Sequence, residues 1–99
     1  MPKAKRKLKL TRWDVVDHLK TDRDRAGFLE AALEYDDPEF VCIALGEIAR
    51  SYGMAQVARK AGLGRESLYK ALSANGNPEL ATVLKVIKAL GLKLRVSPK

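Results

Sequence analysis

The apolar residues of this chain recur mainly at three- and four-residue spacing, which predicts amphipathic helices. In residues 22–35 the apolar stripe consists of Phe28, Leu29, Ala32 and Leu33. The next segment, 39–52, is apolar on most of its faces, as is typical of a helix in the centre of a core. In residues 80–90 the stripe consists of Leu80, Val83, Leu84, Ile87 and Leu90. The pattern predicts a compact all-α domain of about five or six helices.

Capping residues mark where these helices begin and end. Thr21 precedes two acids and predicts one helix start, and Asp37 followed by Pro38 predicts a second, with Asp37 as the N-cap. Asn77 and Pro78 repeat this arrangement before the last helix, although Asn77 is also a candidate phosphate contact. The glycines Gly53 and Gly91 are placed to end the second and the last of these helices.

The tail from Leu92 to Val96 alternates apolar and basic residues, which predicts a short C-terminal strand. Because an unpaired strand edge can pair with another chain, such a strand would join a second copy or another protein. The alternative is a tail that rests on the core.

Residues 54–72, with the sequence MAQVARKAGLGRESLYKAL, predict two short helices that cross at a turn. Ala58 is small enough for a close crossing, and Gly62 can adopt the positive φ of a sharp turn without strain. The residues expected to face inward are Val57, Ala61, Leu63, Leu68 and Ala71. Those expected to face outward are Arg65, Glu66, Ser67, Tyr69 and Lys70. Such a donor-rich face suits DNA base edges and phosphates, whereas in an ordinary helical hairpin it would only meet water.

The distribution of charge supports a nucleic-acid partner more than the net charge of +7 does. Residues 1–12 carry six basic residues and no acid, and residues 50–99 carry ten basic residues against two acids. Residues 13–49 carry three basic residues against ten acids, a net charge of −7. A basic C-terminal half matches the electrostatics of a DNA-binding protein. The acidic middle is either solvated surface or the site of a basic protein partner.

The chain is long enough for one domain, which we assign to residues 12–99. Residues 1–11 are expected to form a basic, disordered arm that follows phosphates or only adds solubility. No apolar run is long enough for a membrane span or a signal peptide, which predicts a cytoplasmic protein. A single cysteine, Cys42, and a single histidine, His18, predict no disulfide, metal site or cofactor. With no catalytic constellation either, the sequence predicts a protein that is not an enzyme.

Residues 54–90 resemble the Cro/phage-repressor type of DNA-binding domain, including the loop and helix that follow the turn. The wider frame resembles the addiction-module antidote proteins, HigA-like antitoxins with a Cro-type helix-turn-helix. It comprises a short apolar lead-in, then "LEAALEYDDPEF", "ALGEIARSYGMAQVARKAGLGRESLYKALS" and "GNPELATVLKVIKALGLKL". The resemblance implies a homodimer that represses its own operon by binding double-stranded operator DNA. It also implies a cognate toxin partner of the RelE/ParE/HigB kind.

In that geometry the start of the second helix enters the major groove, with Arg65 as the main base reader because its fork matches guanine. Glu66 would accept from cytosine or orient Arg65. The full set of predicted DNA-binding residues is Gln56, Gly64, Arg65, Glu66, Ser67, Tyr69, Lys70, Asn75 and Thr82. One departure from the resemblance is Met54, which stands where many Cro-type domains place a phosphate-binding glutamine.

The toxin-facing surface is predicted from charge alone. A partner that cleaves or mimics RNA should be basic, so an acidic surface would attract it. The predicted residues are Glu30, Glu34, Asp36 and Asp37. Two other functions fit the same sequence. One is a phage-type transcriptional repressor with no toxin partner, and the other is a protein-interaction module whose DNA surface is unused.

Overall fold

The computed structural model describes residues 18–99, which fold into five α-helices with no strand in that range. The helices are α1, Asp22–Leu33; α2, Pro38–Tyr52; α3, Met54–Ala61; α4, Arg65–Ala71; and α5, Leu80–Ala89. The all-helical prediction is confirmed for this range. Residues 92–96 form no strand within the single chain, and pairing of this segment with a second copy stays a prediction. The predicted basic arm, residues 1–11, and the apolar lead-in to residue 17 lie outside the described range.

Two of the predicted helix starts are confirmed. The Thr21 hydroxyl accepts a hydrogen bond from the Asp24 N–H at 3.0 Å, and the Asp24 carboxylate accepts from the Thr21 N–H at 3.2 Å. This reciprocal capping box begins α1. The Asp37 carboxylate accepts from the Glu39 N–H at 3.1 Å, with Pro38 in the first turn of α2. Both starts are local, because each depends on side chains within three residues of the backbone they cap.

The predicted start of the last helix at Asn77 and Pro78 is wrong. Helix α5 begins at Leu80, with Glu79 as an N-cap whose side chain makes no capping hydrogen bond. Gly76 packs so closely on the end of α4 that a Cβ there would lie 2.2 Å from the Ala71 carbonyl oxygen. Gly76 and Ala71 are five residues apart, so this contact belongs to the local turn that follows α4.

Helix α2 lies at the centre of the fold, as its apolar sequence predicts. Seven of its residues are buried: Phe40, Cys42, Ala44, Leu45, Gly46, Ile48 and Ala49. It packs against α1 on one side and α3 on another, and α3 in turn packs against α4 and α5. The end of α2 is set by Gly53 at φ 124°, as predicted. Helix α3 contacts three other helices, so its packing on α2 sets where α4 and α5 lie.

The predicted apolar stripes are only partly correct. Leu33 in α1 is 41 % exposed, and in α5 Leu80 and Leu84 are 70 % and 46 % exposed. The buried positions at the end of α5 are Ile87 and Leu90, as predicted, together with Val86 and Ala89. Periodicity predicts a stripe along a whole helix, but only the second half of α5 is covered by the core. The first half presents two leucines, four residues apart, to the outside.

The cysteine is buried in the core on α2. Burial raises the pKa of the Cys42 thiol, and the nearby Glu39 carboxylate raises this pKa further. The thiol therefore stays protonated at neutral pH, where it is a weak nucleophile and a poor metal ligand. Cys42 acts here as a small apolar residue.

Candidate nucleic-acid interface

Helices α3 and α4 are joined by the three-residue turn Gly62, Leu63 and Gly64. Gly62 adopts the left-handed conformation, with φ 70° and ψ 33°, as predicted. Its N–H donates to the Arg59 carbonyl at 3.2 Å, and the Leu63 N–H donates to the Ala58 carbonyl at 2.9 Å. A Cβ on Gly62 would meet nothing within 4 Å, so the backbone angle, and not crowding, requires glycine. This closing pattern at the end of α3 directs the chain into α4.

Helix α4 is held to the core by very few side chains. Leu68 is its one buried residue and is fully shielded, and Leu72 directly after the helix is also buried. Ala58 on α3 is only 4 % exposed and belongs to the same core cluster as Leu68, as the predicted crossing requires. The exposed residues of α4 are Arg65, Glu66, Ser67, Tyr69 and Lys70, the five predicted to face outward. We call this set the reading face.

Two arginines, one on α4 and one on α2, lie over the ring of Tyr69. The Arg65 guanidinium carbon lies 5.9 Å from the centre of the Tyr69 ring, one turn further along α4. The Arg50 guanidinium, from the last turn of α2, lies 5.6 Å from the same ring. Both contacts are in the cation–π range. Tyr69 thus contacts one arginine from α2 and one from α4.

Arg50 was missed by the sequence analysis. Its Nη1 lies 3.4 Å from a carboxylate oxygen of Glu47, which holds the side chain beside Tyr69. In the sequence Arg50 is only one basic residue at the end of an apolar helix. Nothing in its local pattern indicates that it meets a residue of α4. Glu66, for which an Arg65-orienting role was expected, makes no ion pair with Arg65 in the described part of the chain, where the contact to Arg65 comes from Tyr69.

The remaining predicted DNA-binding residues are spread over other elements of the fold. Gly64 is the N-cap of α4, and Gln56 is exposed on the first turn of α3. Asn75 is exposed in the loop after α4, and Thr82 is half-buried in the first turn of α5. Within residues 18–99, no hydrogen bond or ion pair links the Gln56, Asn75 or Thr82 side chain to α4. Met54, which departs from the Cro-type pattern, is buried and packs in the core.

The predicted acidic residues lie on a different part of the molecule. Glu30 and Glu34 are exposed on α1 and directly after it, and Asp36 and Asp37 are exposed in the turn to α2. Asp36 adopts a positive φ of 54°, which aspartate tolerates better than most residues. We call these four residues the acidic face. The short turn between α1 and α2 therefore explains why two aspartates are adjacent, and a role as a pair of catalytic carboxylates is not needed.

A family model described as "probable addiction module antidote protein" matches residues 9–98. The chain belongs to this family. The match includes all five helices, and so takes in both the reading face and the acidic face of the antidote fold. The match therefore covers all of the described helices and not the α3–α4 pair alone.

A relative in Haemophilus influenzae, an uncharacterized protein, is 49 % identical over 84 residues. The alignment covers 85 % of this antidote-family chain and 87 % of the relative. No solved structure matches the chain. Of the helices in residues 18–99, none has the length and apolar character to span a membrane. The same residues contain no cluster of three or more His, Cys, Asp or Glu side chains that is arranged to hold a metal ion.

Proposed function

We propose that this protein is an antitoxin that neutralises a cognate toxin and represses its own operon by binding operator DNA. Membership of the antidote family supports the antitoxin role. The observation that carries the DNA-binding role is the reading face, because α4 is fixed by Leu68 and leaves its polar side chains exposed. Arg65 stands in the first turn of that helix, where a recognition helix contacts base edges.

The proposed interface divides into base-reading and phosphate-binding parts. Arg65 reads guanine through its planar fork, and Tyr69 limits the orientations of that fork. Lys70, one turn further on, and Arg50, whose guanidinium lies over the same Tyr69 ring, contact the phosphate backbone. Gln56, Asn75 and Thr82 are secondary phosphate contacts in this proposal. Ser67 is short, and so would touch a base or phosphate only at close range.

The active species is proposed to be a homodimer. Two copies would place their reading helices about 34 Å apart, one turn of DNA, and would prefer a palindromic site. The exposed leucines Leu80 and Leu84 at the start of α5 support association, because they lie four residues apart on one side of the helix and offer apolar surface to a second copy. A footprint that covers only one half-site would contradict the dimer.

Two experiments test the proposed function directly. A gel mobility shift with the promoter of its own operon should show sequence-specific binding by the purified protein. Co-expression with the neighbouring gene, if that gene encodes a small basic protein, should yield a stable complex. Binding to DNA without such a complex would favour a phage-type repressor with no toxin partner. A complex without DNA binding would favour a protein-interaction module.

Substitutions at Tyr69 should distinguish its ring from its hydroxyl. Tyr69→Leu removes both cation–π contacts, each worth about 0.5–1 kcal/mol at an exposed site, and should weaken operator binding roughly 5- to 30-fold. Tyr69→Phe keeps the ring and should stay within about twofold of the wild type. Operator dissociation constants at fixed salt provide the measurement. Equal losses in both variants would show that the hydroxyl, and not the ring, matters.

Charge reversal on the acidic face tests the proposed toxin surface. Glu30→Lys with Glu34→Lys should slow association with the toxin about tenfold or more at low salt, because steering by opposite charge would be lost. Both side chains are exposed, so folding should be unaffected. A matched control is Glu66→Lys with Glu79→Lys, which makes the same change in net charge elsewhere. Stopped-flow association rates that are unchanged by the first pair, or slowed equally by both, would contradict the acidic face as the docking surface.

A further inference from the structure

A pocket of about 460 Å³ lies where the last turns of α2, α3 and α5 meet. Its walls carry three lysines, Lys60, Lys85 and Lys88, together with the phenol of Tyr52. Its remaining lining residues are Ala61, Ala89 and Gly91, and it has no acidic lining residue. The volume lies in the range of pockets that hold small molecules. No residue of the reading face or the acidic face takes part.

The lysines of this pocket are not neutralised by the surrounding protein. Within residues 18–99, no salt bridge involves Lys60, Lys85 or Lys88. Lys60 donates from its Nζ to the Tyr52 hydroxyl at 2.5 Å, and this leaves the phenolic O–H free to donate elsewhere. Lys85 and Lys88 are three residues apart on α5 and therefore lie on the same side of that helix.

The helix ends do not account for these lysines. Cations are favoured near the carboxyl ends of helices, where terminal carbonyls lack partners. At the end of α3, however, Gly62 and Leu63 donate their N–H groups to the Arg59 and Ala58 carbonyls. At the end of α5, Leu90, Gly91 and Leu92 do the same for Val86, Lys88 and Ile87. Backbone donors thus satisfy five of the last eight carbonyls of α3 and α5, so few are left for the lysines to serve.

We propose that this pocket binds a small molecule that carries two or more phosphate groups. Three lysines and a phenol line this pocket with no carboxylate among them, which makes it complementary to a compact polyanion. This site is independent of the proposed DNA contacts, because it shares no residue with them.

The test uses the full chain with two probes, inorganic triphosphate and ATP, at matched ionic strength. Calorimetric titration should detect binding of both, and the unfolding temperature should rise with probe concentration by mass action. The variant Lys60→Gln/Lys85→Gln/Lys88→Gln should bind at least about tenfold more weakly, since each lost charge contact costs up to about fivefold. The control Lys20→Gln/Lys93→Gln/Lys99→Gln makes the same change in net charge outside the pocket and should bind within about twofold of the wild type.

Three results would overturn the proposal. One is the absence of binding of either probe at millimolar concentration, and another is an equal loss in the two triple variants, which would indicate attraction by net charge only. The third is displacement of triphosphate by duplex DNA, which would assign the lysines to a DNA surface. If the triple variant does not fold, the single variants Lys85→Gln and Tyr52→Phe replace it, and each should weaken binding about threefold. ATP binding tighter than triphosphate binding would show that the pocket also contacts the nucleoside.

Discussion

Replacing Arg65 with alanine is expected to weaken operator binding by about 1–3 kcal/mol, roughly 5- to 150-fold, and to relax specificity at one base pair. Arg65 is exposed in the first turn of α4, and its guanidinium is placed over Tyr69. A bidentate contact to guanine is lost in the variant, and no neighbouring side chain can replace it. The measurement is a set of operator dissociation constants, with each base pair of the site changed in turn.

Lys70→Ala provides the matched control for Arg65→Ala, because it removes one positive charge from the next turn of the same exposed face. A phosphate contact carries no sequence information, so Lys70→Ala should weaken binding to all sequences equally. It should also lower the slope of log K against log salt by about one unit. If Arg65→Ala instead leaves base preference unchanged and only lowers the salt slope, Arg65 is a phosphate contact and the proposed reading position is wrong.

Replacing Gly46 with alanine is expected to destabilise the fold by about 1–3 kcal/mol, even though alanine is the better helix former. A Cβ on Gly46 would lie 2.5 Å from the Leu72 carbonyl oxygen and 3.2 Å from Nη1 of Arg50. The first contact is to backbone, so the end of α4 must move away from α2. Arg50 would move as well, and its cation–π contact with Tyr69 would weaken. Both the midpoint of urea unfolding and operator affinity should therefore fall.

The matched control for Gly46→Ala is Gly27→Ala in α1, where a Cβ would meet nothing within 4 Å. Both substitutions make the same change inside a helix, so the difference between them isolates the contact with Leu72. Gly27→Ala should stabilise the protein by about 0.5–1 kcal/mol and leave operator affinity unchanged. Equal gains in stability for the two variants would show that α2 and α4 do not approach as closely as described.

Several features of the fold were predictable because they depend on neighbours in the sequence. Thr21 and Asp37 cap helices through residues two or three positions away, and Gly62 adopts the left-handed conformation that ends α3. The outward residues of α4 followed from helical spacing around the single anchor Leu68. These inferences need only local geometry and the separation of apolar from polar positions.

Other features depended on contacts between distant parts of the chain. Helical spacing placed Leu80 and Leu84 in the apolar stripe of α5, but the packing of α5 on α3 leaves both exposed. The alternation in residues 92–96 suggested a strand, but a strand also needs a partner edge, and residues 18–99 provide none. Arg50 joined the reading face only because α2 ends beside Tyr69.

The amino-acid order by itself determined that the chain forms helices, where most of them begin or end, and which side of α4 is polar. Capping, glycine angles and hydrophobic spacing all act within a few residues, so they can be deduced from the printed chain. Only the tertiary structure decided that Arg50 and Arg65 both lie within cation–π distance of one tyrosine, and that three lysines from two helices line a single pocket. These groupings depend on how helices pack across long sequence separations, and local patterns carry no information about that packing.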